Sequence, residues 1–316
     1  MDKLIKIGTR ESQLAVWQAT HVQQLLSKNG YPSELIYIKS EGDLDLQTPL
    51  YEMGVQGIFT KSLDTALLNN TIDIAVHSMK DVPTQLATGI IQSAVLKRAS
   101  YKDIFVFKDP SVVAEWKLSE DSLITKLETA GIIATSSIRR KAQWLNRYPN
   151  HTIENLRGNV NTRLRKVQEN NWKGAIFAAA GLERIALRPE NSVDLNWMLP
   201  APAQGAIMVV CRENDDIGLN ACNAFNDSET AMCTKIERDF LRTLLGGCST
   251  PISALAQVID GQIFFKGNIL SVDGMEKVDI EKNIPLNNSD YAGISAANEL
   301  LQMGADKIVN AIQDAK

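Results

Sequence analysis

The sequence predicts an α/β fold: two similar α/β domains facing each other across a cleft, plus a smaller α+β carboxyl-terminal domain. Three observations carry this expectation. At 316 residues the chain exceeds what one ordinary core organises, and domains of roughly 100–200 residues imply two or three of them. A strand-like apolar run, a polar loop and a helical pattern follow one another at the amino end and again mid-chain. After about residue 227 the pattern changes to one helix followed by strands.

Leu4, Ile5 and Ile7 form the first apolar run, and from Gln13 onward Leu14, Trp17, His21 or Val22, and Leu25 recur at helical spacing. GTRES lies between them and offers Ser12 as an N-cap. The same order returns where Ile132, Ile133 and Ala134 lead into TSSIRR and a helix carrying Ala142, Trp144 and Leu145. ELIYIK and TIENL continue the two units as strands, and DIAVHS and GAIFAAA supply a further strand to each. One topology used twice explains the repetition.

Strands alternating with helices predict mainly parallel sheets, and ligands of open α/β sheets bind beyond the carboxyl ends of the strands. Those ends carry Thr9 and Arg10, then Ser78, Met79, Lys80 and Asp81, then Thr135, Ser136 and Ser137, and finally the segment after Ala180. LPAPAQGAIMVV reads as a linker and a strand that returns to the first domain, so the crossovers at about 96–103 and 198–202 form a hinge. The expected boundaries are therefore 1–98 with 200–219 for the first domain, 99–199 for the second and 220–316 for the third. In the third, ETAMCTKIERDFLRTLL is a helix halted by Gly246 and Gly247. ISALAQVI and QIFFKGNIL pair around an Asp260-Gly261 turn, and a last helix begins near Ser289.

With 44% apolar and 22% charged residues the composition is that of an average globular protein. A net charge of −4 argues against a nucleic-acid partner, which normally needs a basic surface. MDKLIKIGTR lacks a signal-peptide core, and no stretch reaches the ~20 apolar residues of a membrane span, so a cytoplasmic protein without a membrane partner is expected. Four cysteines and three histidines show no zinc spacing, and no metal site is predicted. Cys211, Cys222 and Cys233 read as structural thiols of a reducing compartment. Cys248 follows two glycines at a helix-to-strand junction, where it is either buried or displayed into a neighbouring cleft.

Arginine is unevenly distributed: Arg139, Arg140, Arg147, Arg157, Arg163, Arg165, Arg184 and Arg188 crowd one stretch of an acidic protein. Guanidinium forks grip carboxylates or phosphates bidentately. Arg147, Arg165 and Arg188 read as solvated helix faces. Arg139, Arg140, Arg157 and Arg163 read as anion ligands, since TSSIRR sets hydroxyls and arginines at a helix amino end. Neither G-x-x-x-x-G-K-[ST] nor G-x-G-x-x-G occurs, which favours a carboxylate ligand over a nucleotide. Asp81, at a strand end, suits a role in stabilising a cation or moving a proton; an N-cap or an ion pair with Lys80 is equally open. His77 is expected to face the core.

Taken together, GTRESQLAVWQA, GDLDLQTPL, DIAVHSMKDVP, TSSIRR, LRGNVNTRL, AAAGLERI, PAPAQGA and GGCSTPIS span nearly the whole chain. In order and spacing they resemble the hydroxymethylbilane synthase (porphobilinogen deaminase) family. The resemblance implies three domains, two of them like periplasmic binding proteins. It implies a monomeric transferase that joins four porphobilinogen molecules with loss of ammonia on a dipyrromethane cofactor, itself held by a thioether to Cys248. It also implies that Asp81 is catalytic. Around the cofactor it places Ser78, Lys80, Thr135, Ser137, Arg139, Arg140, Arg157, Gly158, Arg163 and the lid-loop residue Asp43. Around the substrate it places Thr9, Arg10, Ser12, Arg157, Ala178, Arg184 and Gln204.

The lid departs from the family pattern, with Glu52 and Gln56 where many relatives carry lysines; Lys61 offers partial compensation. Gly174 replaces a commonly acidic position. The main rival class is a non-catalytic two-lobed receptor for a polycarboxylate, because fold alone does not separate the two. Such a receptor normally carries a secretion signal and has no need of Cys248 together with Asp81. A cysteine-nucleophile hydrolase lacks a partnering histidine near Cys248 in the sequence.

Overall fold

The computed structural model describes residues 4–39, 60–118, 129–244 and 250–314. Its elements run β1 (Ile5–Thr9), α1 (Gln13–Lys28), β2 (Ser33–Tyr37), α2 (Lys61–Leu68), β3 (Ile74–Ser78) and β4 (Ile90–Val95). Next come β5 (Asp103–Phe107), α3 (Ser111–Glu115), β6 (Ile132–Ala134), α4 (Ile138–Arg147), β7 (Thr152–Glu154), α5 (Val160–Glu169), β8 (Gly174–Ala178), α6 (Ala179–Glu183) and β9 (Ser192–Asp194). The remainder holds β10 (Ile207–Arg212), α7 (Asp216–Asn223), α8 (Ser228–Thr243), β11 (Ile252–Ile259), β12 (Gln262–Leu270), β13 (Lys277–Pro285), α9 (Ala292–Leu300) and α10 (Asp306–Asp314). Two compact units result, the first from Met1–Leu46, Val55–Ala99 and Gly205–Met232, the second from Gln47–Gly54, Ser100–Gln204 and Cys233–Lys316.

In the first unit the sheet order is β2-β1-β3-β10-β4. β1 lies parallel to β2 and β3, whereas β10 is antiparallel to β3 and β4. Helix α1 starts as the sequence predicts, with the Ser12 hydroxyl accepting from the Ala15 amide, and its buried face packs Ala19, Val22 and Leu26 against Ile5, Ile7 and Ile74. Each such fully buried aliphatic side chain contributes about 1.5–3 kcal/mol relative to exposure. Cys211 and Cys222 belong to this core, and burial pushes their thiols up to about 11 and about 12, so both stay protonated and unreactive.

The second unit repeats the plan as β7-β6-β8-β5-β9: β6 is parallel to β7 and β8, and β5 is antiparallel to β8 and β9. All of β5 is buried because its faces feed two cores. Phe105 and Phe107 meet Trp116, Trp144 and Tyr148 on one side, while Ile104 and Val106 meet Ala134, Leu156 and Phe177 on the other. This unit also carries an antiparallel β11-β12-β13 sheet, whose first turn holds Asp260 and Gly261 at φ 49° and 76°, the left-handed pair that a type I′ hairpin requires.

The doubled topology is present, but the expectation of mainly parallel sheets is corrected, since half the pairings in each five-stranded sheet are antiparallel. Parallel neighbours need a helical crossover within the sheet. β5 and β10 are instead the first strands after the chain passes between units, at 99/100 and 204/205. The last helical region is present near Ser289, as a 3-10 stretch over Leu286–Tyr291 that runs into α9 at Ala292. Arg147 is a second correction. It is buried, not solvated, because its guanidinium stacks 4.9 Å from the Trp197 ring centroid and donates to the Tyr148 hydroxyl and the Lys117 carbonyl. Arg165 is exposed on α5 as expected and pairs with Glu169, whereas Arg188 is exposed in the segment after α6 and not on a helix face, pairing with Glu183 and Asp194. No described helix is long and apolar enough to cross a membrane.

Candidate active site

In the first unit β1 and β3 are neighbours in register, Ile7 opposite Ile74 and Gly8 opposite Ala75. Their carboxyl ends therefore bring Thr9, Arg10 and Ser12 to the same edge as Ser78, Lys80 and Asp81. Thr9 is buried and its hydroxyl donates to the Arg10 carbonyl. Ser78 is held by Gln18 of α1, whose amide donates to the Ser78 oxygen at 2.9 Å. Beyond Ser78 the chain tightens into one 3-10 turn, Met79–Asp81. Met79 is buried and anchors that turn, its amide donating to the Ala206 carbonyl, and Lys80 and Asp81 are left half-buried. His77 faces the core as expected, with its Nε2 buried and unpartnered. Burial, and then the positive charge of Arg10, lower its pKa to about 4, so it is neutral near pH 7.

In the second unit the same kind of edge is formed by the ends of β6, β7 and β8. Ser137 caps α4, accepting from the Arg140 amide, and the buried Thr135 hydroxyl accepts from the Ser137 amide at 3.2 Å. Arg139 and Arg140 occupy the first turn of α4, and both are buried around a carboxylate that the sequence did not single out, Asp103. Arg139 Nη2 donates to its Oδ2 at 2.7 Å; Arg140 Nε and Nη2 donate to its Oδ1 at 3.0 and 2.7 Å. Further donations run from Arg139 to the Leu199 carbonyl and from Arg140 to the Ile176 carbonyl. Arg139 Nε is buried without a partner, and burial lowers the pKa of this guanidinium against the opposing pull of Asp103.

Gln204, expected beside the substrate, is 1% exposed and donates to Asp103 Oδ1 and to the Tyr101 carbonyl. The structure thus gives Arg139, Arg140 and Gln204 an internal partner as well as a place at the strand ends. LRGNVNTR forms a capped turn: Asn159 accepts from the Thr162 amide, and Arg163 Nε donates back to the Gly158 carbonyl. Gly158 sits at φ 112°, and a Cβ there would lie 2.7 Å from Thr162 Cγ2, so only glycine closes the turn. Arg157 is buried just before it. Ala178 ends β8, and Arg184 follows α6, where burial, opposed by Glu183, lowers its pKa to about 10.

Gly174 has a packing reason. A Cβ there would stand 2.3 Å from the Val106 carbonyl, leaving no room for an acidic side chain. Lys61 opens α2. Asp43, Glu52, Gln56 and Cys248 lie outside the described residues. Among the described residues no His, Cys, Asp and Glu group could hold a metal ion. The donors at the second unit's strand ends, hydroxyls, a capped helix amino end and guanidinium groups with the unpartnered Arg139 Nε, fit a ligand rich in carboxylates.

Fold and site define a two-unit α/β protein with a carboxylate at one set of strand ends and arginines and hydroxyls at both. The chain belongs to the porphobilinogen deaminase family. The model of the "dipyromethane cofactor binding domain" of porphobilinogen deaminase matches residues 5–219, and that of its C-terminal domain matches residues 231–302. The porphobilinogen deaminase of Syntrophotalea carbinolica is 39% identical over 312 residues, covering 98% of this chain and 96% of that protein. Among solved structures, the Bordetella pertussis BvgS VFT2 domain is 13% identical, covering 72% of this chain and 90% of its own, with a TM-score of 0.43. The methionine binding protein MetQ is 16% identical, covering 72% and 91%, with a TM-score of 0.40.

Proposed function

We infer that this chain is a hydroxymethylbilane synthase, a transferase of tetrapyrrole biosynthesis that condenses four porphobilinogen molecules head to tail, releases ammonia, and finally yields the linear tetrapyrrole to water. One observation carries the assignment of roles. An acidic chain gathers guanidinium groups at the strand ends of one unit and sets a half-buried carboxylate, Asp81, in an anchored turn of the other.

The dipyrromethane cofactor supplies the pyrrole end to which substrate units are joined. Asp81 stabilises the positive charge that develops as ammonia leaves and takes up the proton lost when the new bond is made. Its turn is anchored by Met79, so the carboxylate needs little reorganisation. Thr9, Arg10 and Ser12 bind substrate carboxylates from the first unit, and Ser78 and Lys80 bind those of the cofactor. Neutral His77 keeps the local positive charge on Arg10. Arg139, Arg140, Arg157 and Arg163, with Thr135, Ser137 and Gly158, hold the cofactor side, each charge-assisted bond contributing about 1.5–3 kcal/mol. Arg157 and Arg184 also meet the substrate beside Ala178, and Gln204 acts from behind through Asp103.

Cys248, between α8 and β11 in sequence, is the thioether anchor, and Asp43 belongs to a loop over the cofactor. The third domain, expected over 220–316, starts after the segment that carries Cys222, which packs in the first unit's core, and the enzyme works as a cytoplasmic monomer. Purified protein incubated with porphobilinogen is expected to release ammonia and a linear tetrapyrrole. Asp81→Ala should stay folded and loaded with turnover reduced at least about a hundredfold. Binding of porphobilinogen without ammonia release by the wild-type protein would return the receptor reading, and full turnover by Asp81→Ala would remove that carboxylate from the chemistry.

A further inference from the structure

The antiparallel entry of β5 sets its first residue, Asp103, opposite Ala178, at the carboxyl end of β8 where the ligand residues gather. The corresponding corner of the first unit pairs Ile207 with Ser78 and so carries no charge. Asp103 is fully buried, and a carboxylate in that position is tolerated only with charged partners. Those partners are the two guanidinium groups assigned to the anionic ligand: Oδ1 accepts from Arg140 Nε and Nη2 and from Gln204 Nε2, and Oδ2 accepts from Arg139 Nη2.

We propose that Asp103 is the positioning residue of the carboxylate clamp. With Gln204 it fixes Arg139 and Arg140 in one orientation and reduces their joint charge from two to one, so that they hold a ligand carboxylate in a set place without trapping it. Two features support this. Both guanidinium groups also donate to backbone carbonyls, Arg139 to Leu199 and Arg140 to Ile176, so two segments hold each fork. Arg139 Nε remains buried and unpartnered, available as a donor only while the rest of that fork is held. Gln204 adds a second tie by donating to the Tyr101 carbonyl. It ties down the segment before Asp103 and thereby the position of the carboxylate.

The proposal rests on the reading that these arginines hold pyrrole carboxylates. The test uses the full-length holoprotein as wild type, Asp103→Asn and Gln204→Met, each checked for folding by circular dichroism and for loading by intact mass. Steady-state kinetics with porphobilinogen follow. Asp103→Asn replaces an acceptor by a donor facing Arg139 and leaves the pair doubly charged. The tethered chain is then held out of place and too tightly, so kcat of the loaded fraction is expected to fall tenfold or more, with KM for porphobilinogen within threefold. Gln204→Met leaves both ion pairs intact and should fold normally; a two- to fivefold fall in kcat is expected at near-constant KM. Should Asp103→Asn fail to fold, Gln204→Met decides alone. An unchanged kcat in the folded, loaded variants, or a rise in KM at unchanged kcat, overturns the proposal. A wild-type protein that releases no ammonia overturns the underlying reading instead.

Discussion

Glu237 of α8 is fully buried, and its two oxygens accept from separate backbone amides, Ala203 at 2.6 Å and Ala256 at 2.8 Å. Ala203 is a non-glycine residue at φ 62°, a left-handed conformation costing about 1–2 kcal/mol, and the Glu237 bond helps to hold it. Glu237→Gln keeps the shape and one acceptor but turns an NH2 group toward the other amide. One bond to a charged acceptor, about 1.5–3 kcal/mol, is lost, and the other weakens by about 1 kcal/mol as the acceptor becomes neutral. The neutral side chain is easier to bury, which returns part of that, and a net destabilisation of about 2–3 kcal/mol is expected. With m near 3 kcal/mol per M, the urea midpoint should fall by about 1 M at unchanged m. Because Gln204 follows Ala203, kcat should fall as well. A midpoint shift below about 0.2 M would show that the bridge contributes nothing.

Three further outcomes follow from the same structure. Ala186 is exposed at φ 54° just after α6, so Ala186→Gly should stabilise by about 1 kcal/mol in thermal melts, and a lowered melting temperature would contradict this. Gly158→Ala should destabilise by about 1–3 kcal/mol, because φ is 112° and the methyl meets Thr162; an unchanged urea midpoint would remove the strained turn from the argument. His77 titrates at about 4 in the fold against about 6.5 unfolded. Its stabilising contribution is therefore complete above pH 6.5 and declines as pH falls toward 4, by on the order of 3 kcal/mol. His151, also lowered to about 4 by burial, adds to the same slope. His77→Leu should show a flatter loss of stability between pH 7 and 4.5 than wild type, and equal slopes would refute the assignment.

Features decided by neighbouring residues were legible in the sequence. Ser12 and Ser137 cap the helices that follow them, and the apolar runs before each polar loop became β1, β3, β6 and β8. The strands that enter from a crossover were not legible in direction, because orientation is set by where the chain comes from, not by local pattern. Asp103 was missed for a related reason. A single aspartate heading an apolar run looks like a strand boundary, and its partners lie 36, 37 and 101 residues away. Arg147 looked solvated on the same local grounds, and Trp197, which covers it, belongs to a distant segment. Gln204 was placed beside the substrate by resemblance, and its bond to Asp103, 101 residues away, was not legible in the local pattern.

The most direct measurement is the intact mass of the protein purified from cells able to make porphobilinogen, compared with Cys248→Ser prepared in the same way. Wild type should carry a covalent adduct of two pyrrole units and the variant none. A wild-type chain at its bare sequence mass, or a Cys248→Ser chain with the same adduct, would contradict the tethered-primer chemistry to which both sets of strand ends have been assigned.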